Sequence, residues 1–282
     1  MNARLRTGLV LLCIVLLGSI DAYAGGIKLR YGFQTQTQYK WRTAVEVVTL
    51  PDPTAPAGMA GVSVGLGLDV TLVVNKVLTA DQLACSLVLD TLSLQVTRGD
   101  GVKTPMPLGS VRGKFVNLNL STRGIASNIA PSDTLNLETA RQAVGFDLFS
   151  RELLNRMLIF MEFPENNVAT GESWSYTRVD TITREGQRLR TQRMVQCKLL
   201  EDTTMENHPC RRIAFSTFAR IEGAVGPIGS SVGMKGTTTS EGEFYMSLEG
   251  IPLRTTAGLD SEVQLGGMKP VKQKGKLETQ AK

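Results

Sequence analysis

Alternation of apolar and polar residues with a period of two is the feature that most constrains this chain. Tyr39, Trp41, Thr43, Val45 and Val47 fall on one face of a segment whose other face carries Lys40, Arg42 and Glu46. Leu68, Val70, Leu72 and Val74 repeat the pattern, as do Val116, Leu118 and Leu120 between Asn117, Asn119 and Ser121, and Phe244, Met246 and Leu248 between Tyr245, Ser247 and Glu249. Successive side chains of a strand point to opposite faces, so such runs read as half-buried strands. In Leu87, Leu89, Leu92, Leu94 and Val96 the phase switches, which predicts a β-bulge near Asp90. Turn residues punctuate the runs at Arg98-Gly99-Asp100-Gly101, Arg184-Glu185-Gly186 and Glu206-Asn207-His208-Pro209. The expected fold class is all-β: a curved antiparallel sheet or half-barrel over most of residues 27–132 and 170–266.

One segment departs from period two. Leu137 to Ala143 reads as a short helical stretch that Gly145 ends. From Asp147 onward, Phe149, Leu153, Met157 and Phe160 share a helical face, flanked by Leu154 and Leu158, with Glu152 and Arg156 paired on the polar side and Pro164 as the stop. A helix here caps the sheet and completes its core. A sharper expectation makes it a lid over an apolar groove, with Phe149, Leu153, Met157 and Phe160 lining a lipid-like ligand.

Two halves echo each other. Trp41 in an early strand leads after 83 residues to Gly124-Ile125, and Trp174 leads after 76 to Gly250-Ile251. The expected organisation is a first β-unit (25–132), a helical connection (133–164) and a second β-unit (165–267), merged in one sheet or standing as two lobes. Pro51 to Gly67 and Glu222 to Gly236 read as loops or glycine-weakened edge strands.

Residues 1–24 stand apart from the fold. Arg4 and Arg6 give a basic start, Gly8 to Ile20 an apolar run, and Ala22-Tyr23-Ala24 an A-x-A cleavage site. That order is a secretory signal, and the run is shorter than the ~20 residues that span a bilayer. Leu12 before Cys13 is not the small residue that lipidation needs. The expected location is the periplasm or cell exterior, without an integral membrane segment.

The formal charge of +5 is concentrated at one end. Beyond residue 268 lie Lys269, Lys272, Lys274, Lys276 and Lys282 against Glu278 alone, whereas residues 25–268 carry 24 basic and 24 acidic side chains. A nucleic-acid-binding domain wants its basic stripe on a folded face, so no nucleic acid is expected. Residues 268–282 read as a disordered basic tail. Of Cys85, Cys197 and Cys210, the last two flank a hairpin and are the favoured pair for a disulfide.

No reaction is named by the residues. The one histidine, His208, sits in a turn without an orienting acid. Structural zinc wants four ligands, and Gly229 to Gly236 lacks the lysine and hydroxyl order of a phosphate loop. The expectation is a non-enzymatic protein with no cofactor and no metal.

The early Tyr39-Lys40-Trp41, the central Phe163-Pro164 followed by Gly171-Glu172-Ser173-Trp174, and the late glycine-rich strand before Phe244-x-Met246-x-Leu248 resemble a class of exported bacterial β-proteins and lipoproteins. In outline that class is similar to the half-barrels of periplasmic lipoprotein and lipid carriers. The resemblance implies a fold more than a function: a curved sheet that cups an apolar cavity under short helices. With no reaction indicated, two non-enzymatic roles are expected as alternatives, a carrier whose partner is an apolar or lipid-like ligand, or a structural or interaction protein whose partner is another envelope protein.

Overall fold

The computed structural model describes residues 26–50, 61–106, 112–131, 160–184, 187–225 and 232–282. These residues form the strands β1 (Gln38–Thr49), β2 (Ser63–Thr79), β3 (Gln82–Thr97), β4 (Lys103–Met106), β5 (Lys114–Ser121), β6 (Ala126–Pro131), β7 (Ser173–Arg184), β8 (Gln187–Leu199), β9 (Thr203–Met205), β10 (His208–Val225), β11 (Val232–Ser247), β12 (Pro252–Leu265) and β13 (Val271–Ala281). Among the described residues there is no helix, and the helical segment expected over 137–160 lies outside them except for Phe160.

All strands belong to one curved antiparallel sheet, ordered β6-β5-β3-β2-β1-β13-β12-β11-β10-β8-β7, with β4 on β3 and β9 on β10. β6 and β7 are the two ends of that order and do not pair, so the sheet is not closed into a barrel. The period-two runs carry the pairing as read. Trp41 lies opposite Val70 and Ala281, and Thr43 opposite Leu68 and Thr279. The inner face buries Trp41, Leu68, Val70, Leu72, Val116, Leu118 and Leu120. Each fully buried aliphatic or aromatic side chain contributes about 1.5–3 kcal/mol. The phase switch is a bulge at the expected place: Asp69 faces Thr91 and Val70 faces Leu89, which leaves Asp90 extra. Its carboxylate accepts a hydrogen bond from Thr71 Oγ1 at 2.6 Å.

The described parts of the segments expected as loops or glycine-weakened edge strands include paired strand. Ser63 to Gly67 belongs to β2, between β1 and β3, and the pairing of β10 with β11 continues out to Val225 opposite Val232. Residues 271–281 are not a disordered tail; they form β13, the strand that joins β1 to β12. Its lysines face outward and meet acids in register: Lys276 opposite Glu46, Lys274 opposite Asp260, Lys272 opposite Glu262. The basic run is therefore half of a charge-matched outer surface.

At one end of the sheet the gap between β6 and β7 is bridged by residues 160–163. Tyr31 Oη donates to Met161 O at 3.0 Å and accepts from Met161 N at 2.7 Å. Phe163 N donates to Arg123 O, and Arg123 Nε returns a bond of 2.8 Å to Phe163 O. Trp174 Nε1 donates to Glu162 O at 2.9 Å on the β7 side. Stacked rings fill this end, with Tyr31 4.7 Å from Phe163 and 5.5 Å from Phe33 between centroids.

The turns after β5 and β11 share a geometry. Gly124 N bonds Ser121 O and Ser121 N bonds Ile125 O; Gly250 N bonds Ser247 O and Ser247 N bonds Ile251 O. Both glycines have left-handed φ, 86° and 89°. A Cβ on Gly124 would lie 2.2 Å from Met161 O, and one on Gly250 2.3 Å from Arg30 O, so only glycine fits either turn.

Cys85, Cys197 and Cys210 are free and buried, and the expected Cys197–Cys210 bridge is not formed. Cys197 lies opposite Phe215 on β10, five residues along from Cys210. At about 3.4 Å per residue that is ~17 Å, far beyond the Cα spacing a disulfide tolerates.

Candidate functional site

The central strands do not fill their own inner face. A trough of about 400 Å³ runs across it. Its composition follows the strand order. On the β2, β1 and β13 side it is walled by Leu66, Val45, Val47 and Leu277. Ala257 and Leu259 of β12 continue the floor, and Phe244, Phe160 and Met161 close the end next to the aromatic cluster. On β11 and β10 the lining becomes hydroxylic. Thr217 Oγ1 and Ser240 Oγ are 2.6 Å apart, and Thr238 Oγ1 and Ser261 Oγ 3.1 Å. On β8 and β7 it ends at Arg193 and Arg178, directly opposite each other in register, with Tyr176 beside them.

These groups are arranged rather than loose. Arg178 Nε and Nη2 both donate to Glu162 Oε2 at 3.4 Å, Nη2 also reaches Gly124 O at 3.4 Å, and the guanidinium lies 5.3 Å from the centre of the Tyr176 ring. Burial pushes the Tyr176 hydroxyl up to about 12, against the opposing pull of Arg178, so it is neutral at ordinary pH. Thr43 and Thr279 share a hydrogen bond of 3.0 Å at the deeper end. Next to them Thr255 Oγ1 is out of solvent without a hydrogen-bond partner. A buried hydroxyl in that state costs about 1–3 kcal/mol, so this part of the floor has unspent hydrogen-bonding capacity.

In comparisons with known proteins, no family model matches the chain, and no curated protein is similar to it in sequence. The trough therefore has to be read from its own chemistry. Among the described residues no group of three or more His, Cys, Asp or Glu is placed to hold a metal ion, and no helix is long and apolar enough to cross a membrane.

Of the four residues expected to line a ligand, Phe160 lines this trough; Phe149, Leu153 and Met157 lie outside the described residues. Sequence reasoning missed the hydroxyls and both arginines. The signal was present: Thr43, Thr217, Ser240, Thr255 and Thr279 occupy inward positions of strands, where a packed core would place aliphatic side chains. Cys197 and Cys210 are buried, unbridged thiols. Cys197 Sγ sits 3.5 Å from Met161 Sδ, and burial pushes its thiol up to about 12. A broader depression near Gln196, Lys198, Ser216 and Glu241 is a shallow, open saddle of mixed polar and apolar lining.

Proposed function

We propose that the chain is an exported, non-enzymatic envelope protein that holds an apolar, lipid-like ligand in the trough of its half-barrel. One observation carries this reading: among the described residues, the inner face of β1, β13, β12, β11 and β10 lines a trough of about 400 Å³. Small-molecule sites occupy about 300–1,000 Å³ and are mostly apolar with a few placed polar groups, which is the lining described above. The signal-like residues 1–24 support export to the periplasm or exterior, where a carrier of this kind works. The matching turns at Gly124 and Gly250, together with the parallel orders β1-β2-β3-β5-β6 and β7-β8-β10-β11-β12, support two related halves from one duplicated unit. The resemblance to periplasmic lipid-carrier half-barrels fits the same picture.

Native mass spectrometry of the protein purified without detergent tests the reading, with displacement of an environment-sensitive fluorescent fatty acid as the second arm. A bound lipid or saturable probe binding is expected, and Ala257→Trp, which fills the trough, should abolish it while leaving the fold intact. No bound lipid and no probe binding would refute it.

A structural or interaction role without a ligand is the second reading. It is favoured by Val179, Met194 and Phe218, neighbouring apolar side chains on the outer face of β7, β8 and β10 with exposures of 51%, 47% and 45%. It predicts that substitution of these three, and not Ala257→Trp, disturbs the protein's association with its envelope partner.

A further inference from the structure

We infer that the trough takes a neutral long-chain molecule with a hydroxyl group, the hydroxyl bonded to Thr255 and the chain laid on Val45, Leu277, Ala257 and Leu259. The inference rests on the ligand-holding reading above and specifies the ligand's charge, its polar group and its orientation.

Three threonines stand side by side across the inner face. Thr43 of β1 is opposite Thr279 of β13, and Thr279 is opposite Thr255 of β12, with Leu68 and Phe244 at the two ends of the row. Thr43 and Thr279 are buried and satisfy each other through a hydrogen bond of 3.0 Å. Thr255 Oγ1 has neither a partner nor access to solvent. Valine has the same shape and would avoid that cost, so the hydroxyl is a liability in the empty protein that a bound partner relieves. Thr255 lines the trough, and a turn about χ1 from one staggered well to another presents its oxygen to a ligand.

The lining next to this row suits a chain. Alternate residues along the strands are Val45, Leu277 and Ala257, then Val47, Gly275 and Leu259, and only then Gln273, Ser261 and Thr238. Two residues of a strand span about 6.8 Å, so the apolar stretch reaches roughly 14 Å beyond the threonines.

The charged groups of the lining are already engaged. Among the described residues, the ionisable side chains that line the trough are Tyr176, Arg178, Arg193 and Lys274. Arg178 is held by Glu162 and Gly124 O, Lys274 lies 3.8 Å from Asp260, Arg193 has a partner of its own, and Tyr176 is neutral. A carboxylate drawn into the trough would give up its water and meet no spare cation. A neutral hydroxyl loses less and gains the bond that Thr255 lacks.

Dodecanol and laurate, which share a twelve-carbon chain, separate these terms when each displaces a neutral environment-sensitive dye from the full chain. Dodecanol should bind about tenfold tighter than laurate. Thr255→Val should weaken dodecanol about three- to tenfold, the worth of one net hydrogen bond, and leave laurate unchanged; Thr255→Ser, which keeps the hydroxyl, should retain wild-type affinity. Circular dichroism confirms that each variant is folded. Laurate binding as tightly as dodecanol would overturn the neutral class and leave the groove reading standing. Dodecanol binding within twofold of wild type in Thr255→Val would overturn the seat at Thr255. Failure of the dye, dodecanol and laurate alike to bind the folded wild-type chain would overturn both readings.

Discussion

Tyr31→Phe isolates the hydrogen bonds that hold the two free ends of the sheet together. The ring stays and keeps its stacking on Phe33 and Phe163, while the hydroxyl that serves Met161 twice is lost. Burial raises the Tyr31 pKa well above the ordinary phenol value, so the hydroxyl is protonated and acts as donor and acceptor at once. Its removal leaves Met161 N–H and C=O without that partner at a residue only 7% exposed. Each orphaned buried group costs about 1–3 kcal/mol, partly offset because the phenol oxygen no longer needs desolvating. The net expectation is a loss of about 2–4 kcal/mol. For a chain of this size that is a fall in Tm of about 5–10 °C, read by thermal circular dichroism and by a lower urea midpoint at unchanged slope. A Tm within about 1 °C of wild type would show that the Met161 strap is not what couples β6 to β7, and the account of that junction would fail.

Three further outcomes follow from the same structure. Ending the chain before Val271 removes β13 and exposes the edges of β1 and β12, so the truncated protein should aggregate or lose its cooperative transition in a urea melt; an unchanged Tm would refute the central placement of β13. Asp69 accepts from Arg42 and Lys282, chiefly the former, which holds its carboxyl below the usual range. Folded Asp69 thus binds its proton less readily than unfolded Asp69, and its contribution is present above the ordinary carboxyl value of about 3.9 and lost as pH falls below it; Asp69→Asn should flatten the acid limb of a stability–pH profile. Cys85, Cys197 and Cys210 should resist a thiol reagent in the native protein and react once it is unfolded, and dithiothreitol should leave Tm unchanged; a reduction-sensitive Tm would reveal a bridge.

The parts of the fold legible in the sequence are those where an aliphatic face alternates with a polar one. β2, β3 and β5 announced themselves, and even the Asp90 bulge showed as a break of phase. β13 did not, and the reason is physical. Its outward positions are Lys272, Lys274, Lys276, Glu278 and Gln280, and its inward ones include Gln273, Gly275, Leu277 and Thr279, because it floors a trough rather than a packed core. A strand whose inward residues are small or polar loses the hydrophobic signal that marks a strand, and the lysines then read as a solvated tail. The same cause hid the candidate site. Threonine and serine at inward positions look like weak core, and Arg178 and Arg193 become neighbours only through the β7–β8 register, which spacing along the chain does not reveal. Phe160 was legible because aromatic side chains advertise burial wherever they lie.

The placement of β13 also dictates when the sheet can be completed. Trp41 of β1 must find Ala281 of β13, at nearly opposite ends of the chain, before the two halves share a ladder. Until the last strand has been synthesised, β1 has an open side and β12 an unfilled neighbour, and no intermediate length of chain satisfies both. Pairings so distant in sequence close slowly, because the entropy of a long loop is lost before the contacts repay it. A chain built this way stays unfinished throughout its synthesis and becomes a single sheet only once β13 is in place.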